Sequence, residues 1–207
     1  MVHSRRSRHW QRWRAVALLV GATFLAPPLP AADTDQTAIE ARVARPAISP
    51  TRIDTPPIID GDLSDAVWQQ AARIDNFRQT QPVLDDEPSE RTVAWFAYDA
   101  DNIYVAVRAY DRDVDGIIAT ELRRDGDIEA NDQIMVYFDT FADRRNAFVF
   151  ATNPSGALVD GKVENNDNIN RQWNGIWDSQ SRIDGEGWTV EMIIPVKTLS
   201  FDPGNDQ

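Results

Sequence analysis

The chain contains no cysteine, and its only histidines are His3 and His9. The absence of cysteine excludes disulfide scaffolds, thiolate metal sites and thiol catalysis. If the first residues leave with a targeting segment, the rest of the chain also lacks histidine. That excludes Ser-His-Asp catalysis, histidine-ligated zinc and haem. The chemistry that remains uses carboxylates, amides, hydroxyls, arginines, two lysines and aromatic rings.

The N-terminus has the pattern of a secretory signal peptide. Five arginines within residues 5–14 precede an apolar run over residues 15–26, and prolines and Ala31-Ala32 follow. The run is about 12 residues long, whereas a membrane-spanning helix needs about 20. We predict a signal peptide over residues 1–32, with an uncleaved anchor as the alternative. The protein is then exported, and is periplasmic, outer-membrane-associated or extracellular.

Without that leader the chain is strongly acidic. Five of the 21 basic residues lie in it, so about 16 basic residues face 33 acidic ones. An acidic surface repels phosphate backbones, so nucleic acid is excluded as a partner. A neutral polymer or a hard cation fits this charge better.

Short segments with period-two alternation fill most of the chain from residue 92 onward. Residues 92–98 and 103–110 flank an Asp-Ala-Asp-Asn turn and predict a hairpin with one buried face. Further strands are predicted over residues 133–139, 147–152, 157–163, 177–183 and 188–194. The fold class is therefore all-β, an antiparallel β-sandwich of the immunoglobulin or jelly-roll type.

One short N-terminal helix is predicted over residues 62–72, with Ser64 or Asp62 as its cap and Leu63, Val67 and Ala71 on one face. Residues 33–50 are polar and proline-containing, so we predict a linker or a loosely docked segment there. The sandwich domain then covers residues 51–207. Because residues 199–207 form a turn-like stretch, we expect the domain to be truncated and its last strand to be missing.

A polar segment with two tryptophans is the candidate carbohydrate-binding surface. Sugars need flat apolar rings against their C–H faces and amides or carboxylates for their hydroxyls. The segment supplies both kinds of group through Trp173, Trp177, Asn174 and Asp178. The alternative is that both tryptophans are core residues, and this applies more strongly to Trp177 because a strand begins there.

Residues 111–116 carry three alternating aspartates, Asp111, Asp113 and Asp115, and a glycine. This spacing matches the start of a calcium loop. An EF-hand is excluded, since its twelfth position is Leu122 rather than glutamate. We predict a structural calcium site of another type, with a solvated loop as the alternative. No catalytic pair of carboxylates is predicted, because Asp132 and Asp139 point to opposite faces of a strand.

The sequence resembles family 9 carbohydrate-binding modules over about residues 50–204. The resemblance begins at Ile-Ile-Asp-Gly-Asp-Leu-Ser-Asp-Ala-Val-Trp, residues 58–68, and continues through residues 98–107, 131–134, 138–141 and 187–195. It is greatest to the domain that opens large bacterial envelope proteins, where an outer-membrane region follows. The resemblance implies a β-sandwich, binding of a polysaccharide or oligosaccharide, and association with O-glycosyl hydrolases elsewhere on the chain.

The chain departs from this family at the sugar clamp. The characterised sugar-binding members hold the sugar between two tryptophans. The first corresponds to Glu129, and the second lies beyond Gln207. Three functions therefore stay open: a non-catalytic module linked to catabolism of xylan- or glucan-type polysaccharides, an interaction domain that has lost sugar binding, and a hydrolase.

Overall fold

The computed structural model describes residues 48–166 and 168–201. The predicted signal peptide and most of the predicted linker lie outside these residues. The described residues divide into two units: residues 49–77, 89–166 and 168–201 belong to the larger one, and Ile48 with Arg78–Pro88 belongs to the other. In the described part of the second unit, the backbone N–H of Gln79 donates to the carbonyl oxygen of Asp86 (3.0 Å), and Arg78 pairs with Glu87.

The regular secondary structure of the larger unit is almost entirely β-strand. The strands are β1 (Thr51–Arg52), β2 (Ala72–Ile74), β3 (Thr92–Tyr98), β4 (Asn102–Tyr110), β5 (Ile134–Phe138), β6 (Ala147–Thr152), β7 (Leu158–Val163), β8 (Asp178–Asp184) and β9 (Gly187–Pro195). Two short 3₁₀ turns, Val114–Gly116 and Val196–Thr198, accompany them. None of the helices in the described residues has the length and apolar character needed to cross a membrane.

The strands form two sheets. The large sheet has the order β1-β3-β4-β9-β8, with β2 also paired to β3, and the small sheet has the order β5-β6-β7. All pairings are antiparallel except that of β1 with β3. The predicted all-β sandwich is confirmed.

The main core lies between the two sheets. Alternate residues of β4 and β9, such as Val105, Val190 and Met192, face Phe148 and Phe150 of the small sheet. Such a core follows from period-two alternation, because every second side chain of a strand points to the same face. Its burial supplies the main driving force for packing the sheets together.

The predicted hairpin of β3 and β4 differs from expectation in one respect. We expected one buried face, but both faces of β4 are buried between Tyr104 and Val107. The second face belongs to another apolar cluster, in which Tyr104 and Ala106 pack with Trp68 and with residues that precede it. Residues 53–71, which we call the N-terminal segment, therefore cover the large sheet on the side opposite the main core.

The helix in this segment is much shorter than the predicted one. Only α1 (Ala66–Gln70) is helical, so a helix over residues 62–72 is not confirmed. Neither of the two predicted capping residues, Asp62 and Ser64, is the N-cap of this helix. The N-cap is Asp65, which makes no side-chain capping bond, while Asp62 Oδ1 accepts a hydrogen bond from the N–H of Ser64 (3.1 Å). The Asp62 carboxylate thus stabilises a turn ahead of the helix.

Candidate functional site

Trp173 lies in the segment that joins β7 to β8, with its ring partly buried against the small sheet. Its centroid is 5.0 Å from that of Phe148 and 5.9 Å from that of Phe150. The ring also lies close to Gly175, where an added Cβ would be 2.8 Å from Trp173 Cη2. Trp173 is therefore anchored to the core rather than displayed on an open loop.

Trp177 is a core residue in this structure. It is 7% exposed and meets Phe150 edge-on at a centroid distance of 5.2 Å. Its Nε1 donates to Asp160 Oδ2 at 2.7 Å. A buried ring cannot stack against a sugar, so of the two predicted platforms only Trp173 keeps an accessible part. The other two predicted residues, Asn174 and Asp178, are exposed.

A buried carboxylate holds this tryptophan segment in place. Asp160 on β7 accepts hydrogen bonds from Trp177 Nε1, from the N–H of Gly175 (3.0 Å) and from Arg124. Arg124 Nη2 also donates to the carbonyl oxygen of Gly175 (3.1 Å). The segment is thus fastened to the sheet by two neutral donors and one cation, which stabilises its position before any ligand binds.

A cleft of about 260 Å³ lies next to Trp173. We call it the aromatic cleft, and its principal lining residues are Phe141, Asn146, Phe148, Lys162, Glu164 and Asn165. The Phe141 side chain is 37% exposed. Lys162 Nζ lies 4.9 Å from the ring centroid of Phe148 and 5.4 Å from that of Trp173, so the lysine links the cleft to the tryptophan segment. The cleft combines an accessible ring with amide, carboxylate and ammonium groups.

Residues 139–146 form the loop between β5 and β6 that flanks this cleft. Side chains of the loop accept hydrogen bonds from its own backbone. Asp143 Oδ1 accepts hydrogen bonds from the N–H groups of Arg145 (2.7 Å) and Asn146 (2.8 Å), and these bonds hold the pKa of the Asp143 carboxyl below its ordinary value. Asn146 Oδ1 accepts from the N–H of Asn165 across the cleft (3.1 Å). The two loops that border the cleft are therefore connected.

No pattern in the sequence predicted this cleft. Phe141 and Asn146 lie in the loop between β5 and β6, whereas Lys162 lies on β7, and the pairing of β6 with β7 brings that loop and Lys162 together. Lys162 could have been noticed because it is one of only two lysines in the chain, the other being Lys197. Its register partner, Phe148, is known only once the sheet is assembled.

A second cleft, of about 410 Å³, lies on the other face of the large sheet. Arg108 on β4 and Arg182 on β8 flank Thr189 on β9 in one row across the sheet. Arg108 pairs with Asp184 (2.6 Å), and Arg182 pairs with Asp62 (2.8 Å). This cleft has two cations, each already neutralised by a carboxylate, and no aromatic lining residue.

Close to this second cleft a buried glutamate fastens the N-terminal segment. Glu191 Oε2 accepts from the N–H groups of Asp60 (3.0 Å) and Gly61 (2.8 Å), and Oε1 accepts from Trp68 Nε1 (2.7 Å). Gly61 has a φ of +81°, and its Cα lies against the backbone of Ser181. The Ile-Asp-Gly turn thus closes onto β9 through one carboxylate.

The three aspartates predicted to bind calcium follow β4. Asp111 Oδ1 accepts a hydrogen bond from the N–H of Asp113 (2.8 Å), and Asp115 lies in a 3₁₀ turn. Within residues 48–166 and 168–201, no three acidic or histidine side chains are grouped so that they could hold a metal ion. The structure therefore does not bring these three carboxylates together, and calcium binding stays a prediction.

The family resemblance matches Glu129 to a clamp tryptophan, so a charged residue stands at that position in this chain. Glu129 is 66% exposed, and its Oε1 lies 3.8 Å from Arg171 Nη2, two residues before Trp173. An ion pair thus takes the place of an aromatic wall. Any stacking surface in the described part of this chain must therefore come from rings other than the family's first clamp residue.

Similarity to known proteins supports the family relationship. The model of the carbohydrate family 9 binding domain-like family matches residues 59–207. No curated protein matches the chain. Solved structures with a similar fold include a candidate carbohydrate-binding protein from Bacteroides uniformis ATCC 8492, with 13% identity over 72% of this chain and 75% of that one (TM-score 0.49).

A family 9 module from Caldicellulosiruptor kristjanssonii in complex with glucose has 16% identity over 74% of this chain and 71% of that one (TM-score 0.48). The same module in complex with cellotriose gives a TM-score of 0.45 at 16% identity, over 70% and 65% of the two chains. Glucose and cellotriose are ligands of that protein, and at this level of similarity they do not identify the ligand of this chain. The family model covers most of the sequence, and this chain belongs to the carbohydrate family 9 binding domain-like family.

Proposed function

We propose that this chain is a non-catalytic carbohydrate-binding module and that the aromatic cleft is its glycan site. The observation that carries the proposal is the combination of an exposed ring, Phe141, with the amides of Asn146 and Asn165 in one cleft of a family 9 domain. A pyranose presents an apolar C–H face and a rim of hydroxyls, and this lining offers a partner for each.

We extend the proposal to the whole protein. An exported module of this kind would bring its polysaccharide, of the xylan or glucan type, to hydrolase domains elsewhere on the chain or in its surroundings. The site of action would be the periplasm, the outer membrane or the extracellular space. The supporting observations are the arginine-rich, apolar N-terminus and the family membership.

Affinity electrophoresis of the purified chain in native gels that contain xylans, glucans or mannans tests sugar binding directly. Retardation by at least one neutral or substituted polysaccharide supports the proposal. Unchanged mobility in the whole panel contradicts it. That result would favour the alternative function, an interaction domain without sugar binding, which the Glu129–Arg171 pair at the clamp position also favours.

Phe141→Ala should weaken glycan binding with little loss of stability. Removing a partly exposed ring that stacks on a sugar should lower affinity about five- to tenfold, since such contacts contribute about 1 kcal/mol. Tyr98→Ala, which removes a similarly exposed ring (40%) from β3 of the large sheet, is the matched control. Titration calorimetry and thermal melting measure both effects. Equal affinity losses in the two variants would remove the aromatic cleft from consideration.

We also propose that bound calcium, where present, is structural and lies near Asp111, Asp113 and Asp115. The support is their carboxylate spacing, in a strongly acidic chain. A hundredfold excess of calcium over its dissociation constant would stabilise the fold by about 2.7 kcal/mol. Thermal melting with calcium and then with excess chelator checks this. Identical midpoints, with no calcium found by elemental analysis, would contradict the site.

A further inference from the structure

We propose that the aromatic cleft selects a glycan carrying a uronate carboxylate and that Lys162 is the residue that recognises it. This inference rests on the sugar binding proposed above and adds the class of ligand. It begins from the position of one cation. Among the residues that the structure describes, Lys162 and Glu164 are the only charged ones that line the cleft.

Aromatic rings hold the ammonium group of Lys162 in place. Its Nζ is 4.9 Å from the ring centroid of Phe148 and 5.4 Å from that of Trp173, and the residue is half-buried. A cation over two ring faces is attracted by the negative potential of those faces. These contacts fix where the charge lies, but a ring face does not satisfy the three N–H donors of an ammonium group as oxygen acceptors do.

Lys162 differs in this respect from the arginines of the second cleft. Arg108 and Arg182 each donate to an aspartate there. For Lys162, the ring contacts are the only side-chain interactions within residues 48–166 and 168–201, and no carboxylate of those residues is paired with it. The aromatic cleft therefore offers a positioned ammonium group whose donors the described protein leaves unused.

A carboxylate satisfies such a group better than a sugar hydroxyl does. A charge-assisted hydrogen bond is roughly twice as strong as a neutral one, and the partial burial of Lys162 reduces screening by water. Asn146 and Asn165 can bond the neighbouring hydroxyls. The exposed Glu164 can accept from a hydroxyl but would repel a second carboxylate.

The net charge of the whole chain further restricts the class of ligand that can bind. With a formal net charge of −12, and more negative still without the leader, the protein repels a polymer that is anionic along its full length. Within residues 48–166 and 168–201, one cation lines the cleft. The expected ligand is therefore a largely neutral polysaccharide with isolated uronate substituents, and a continuous polyuronate is not expected to bind.

Two forms of one polysaccharide provide the test. Glucuronoxylan is compared with the same polymer after chemical reduction of its carboxyl groups, which keeps the backbone and removes the charge. Binding of the purified chain is measured by affinity electrophoresis and calorimetry at two salt concentrations. We expect about tenfold tighter binding to the native polymer, and we expect this preference to shrink at high salt.

Three variants assign the preference to a residue. Lys162→Gln should bind both polymers with the affinity that the wild type has for the reduced polymer, while Lys162→Arg should keep the preference. Lys197→Gln removes the only other lysine of the chain and should behave as wild type. Thermal melting of every variant separates loss of the contact from loss of the fold.

Each outcome has one meaning. Equal binding of the wild type to both polymers, or a preference that survives in folded Lys162→Gln, overturns this inference and leaves sugar binding intact. Binding to neither polymer, nor to any other polysaccharide of the panel, overturns the proposed function together with this inference.

Discussion

Two buried carboxylates, one on each sheet, each fasten a neighbouring segment to a strand, but they do so with different partners. Asp160 fastens the tryptophan segment to β7, and Glu191 fastens the N-terminal turn to β9. Each accepts a hydrogen bond from an indole N–H, that of Trp177 or Trp68. Asp160 has a guanidinium partner, Arg124, whereas all three donors to Glu191 are neutral.

The difference shows two ways of keeping a carboxylate inside a β-sandwich. Arg124 is 39% exposed, so it neutralises Asp160 while its own charge stays partly in water. Glu191 is fully buried without a cation, and burial raises the pKa of its carboxyl above the ordinary value, although its three N–H donors act in the opposite direction. Protonation of Glu191 is therefore linked to the closure of the N-terminal turn onto β9.

Replacing Glu191 should have the largest effect. Glu191→Ala leaves the N–H groups of Asp60, Gly61 and Trp68 without an acceptor in a buried site, and each unsatisfied donor costs about 1–3 kcal/mol. We expect the free energy of unfolding to fall by about 3–5 kcal/mol. Urea denaturation measures the loss, with the exposed Glu186→Ala as the control. A loss below about 1 kcal/mol would show that water replaces the carboxylate.

Replacing Asp160 should cost less, about 2–3 kcal/mol. Asp160→Ala also removes an acceptor from Trp177 Nε1 and from the N–H of Gly175, but Arg124 can turn to solvent. Urea denaturation gives the stability, and near-ultraviolet circular dichroism reports on the tryptophan segment. Asp178→Ala, an exposed neighbour, is the control. If Asp160→Ala destabilises more than Glu191→Ala does, then Arg124 is not solvated as we infer.

The smallest effect is the pH dependence of the stability that Glu191 contributes. Because the pKa of Glu191 is raised in the folded state, folding favours its protonated form. The stability that it contributes is fully present below the ordinary pKa of 4.5 and is lost as the pH rises through the folded-state pKa.

Measured against Glu191→Gln, the wild type should therefore lose relative stability as the pH rises from below the ordinary pKa of 4.5 through the raised folded-state pKa. Urea denaturation at a series of pH values gives both curves. A constant difference over that range would mean that the N–H donors offset burial completely.

The same two carboxylates show how much of this structure could be predicted from the sequence alone. Alternation in β9 is visible in the sequence and assigns Trp188, Val190 and Met192 to the main core, as observed. The same pattern places Glu191 on the opposite face, where a glutamate is expected to meet solvent. It is buried because a turn about 130 residues earlier closes over it, and no local pattern reports a contact of that range.

The site was less predictable than the strands for a related reason. The composition of the tryptophan segment indicated a sugar surface, but burial of Trp177 depends on Asp160, which lies on another strand. The strands β6 and β9 lie close to their predicted ranges because each is a local period-two pattern. The pairing of Lys162 with Phe148 is a property of the assembled sheet.

The bridge between Lys162 and Asn170 has a consequence for the rate of ligand capture. Each of these residues donates its backbone N–H to the carbonyl oxygen of the other, at 3.1 and 2.7 Å, so the chain ahead of Trp173 is tied to β7. On the other side of Trp173, Thr198 Oγ1 donates to the carbonyl oxygen of Ile176 (2.7 Å). A ligand would therefore meet a surface that is already assembled. Its association should be a single step whose rate is set by diffusion and orientation, without a slower ordering phase.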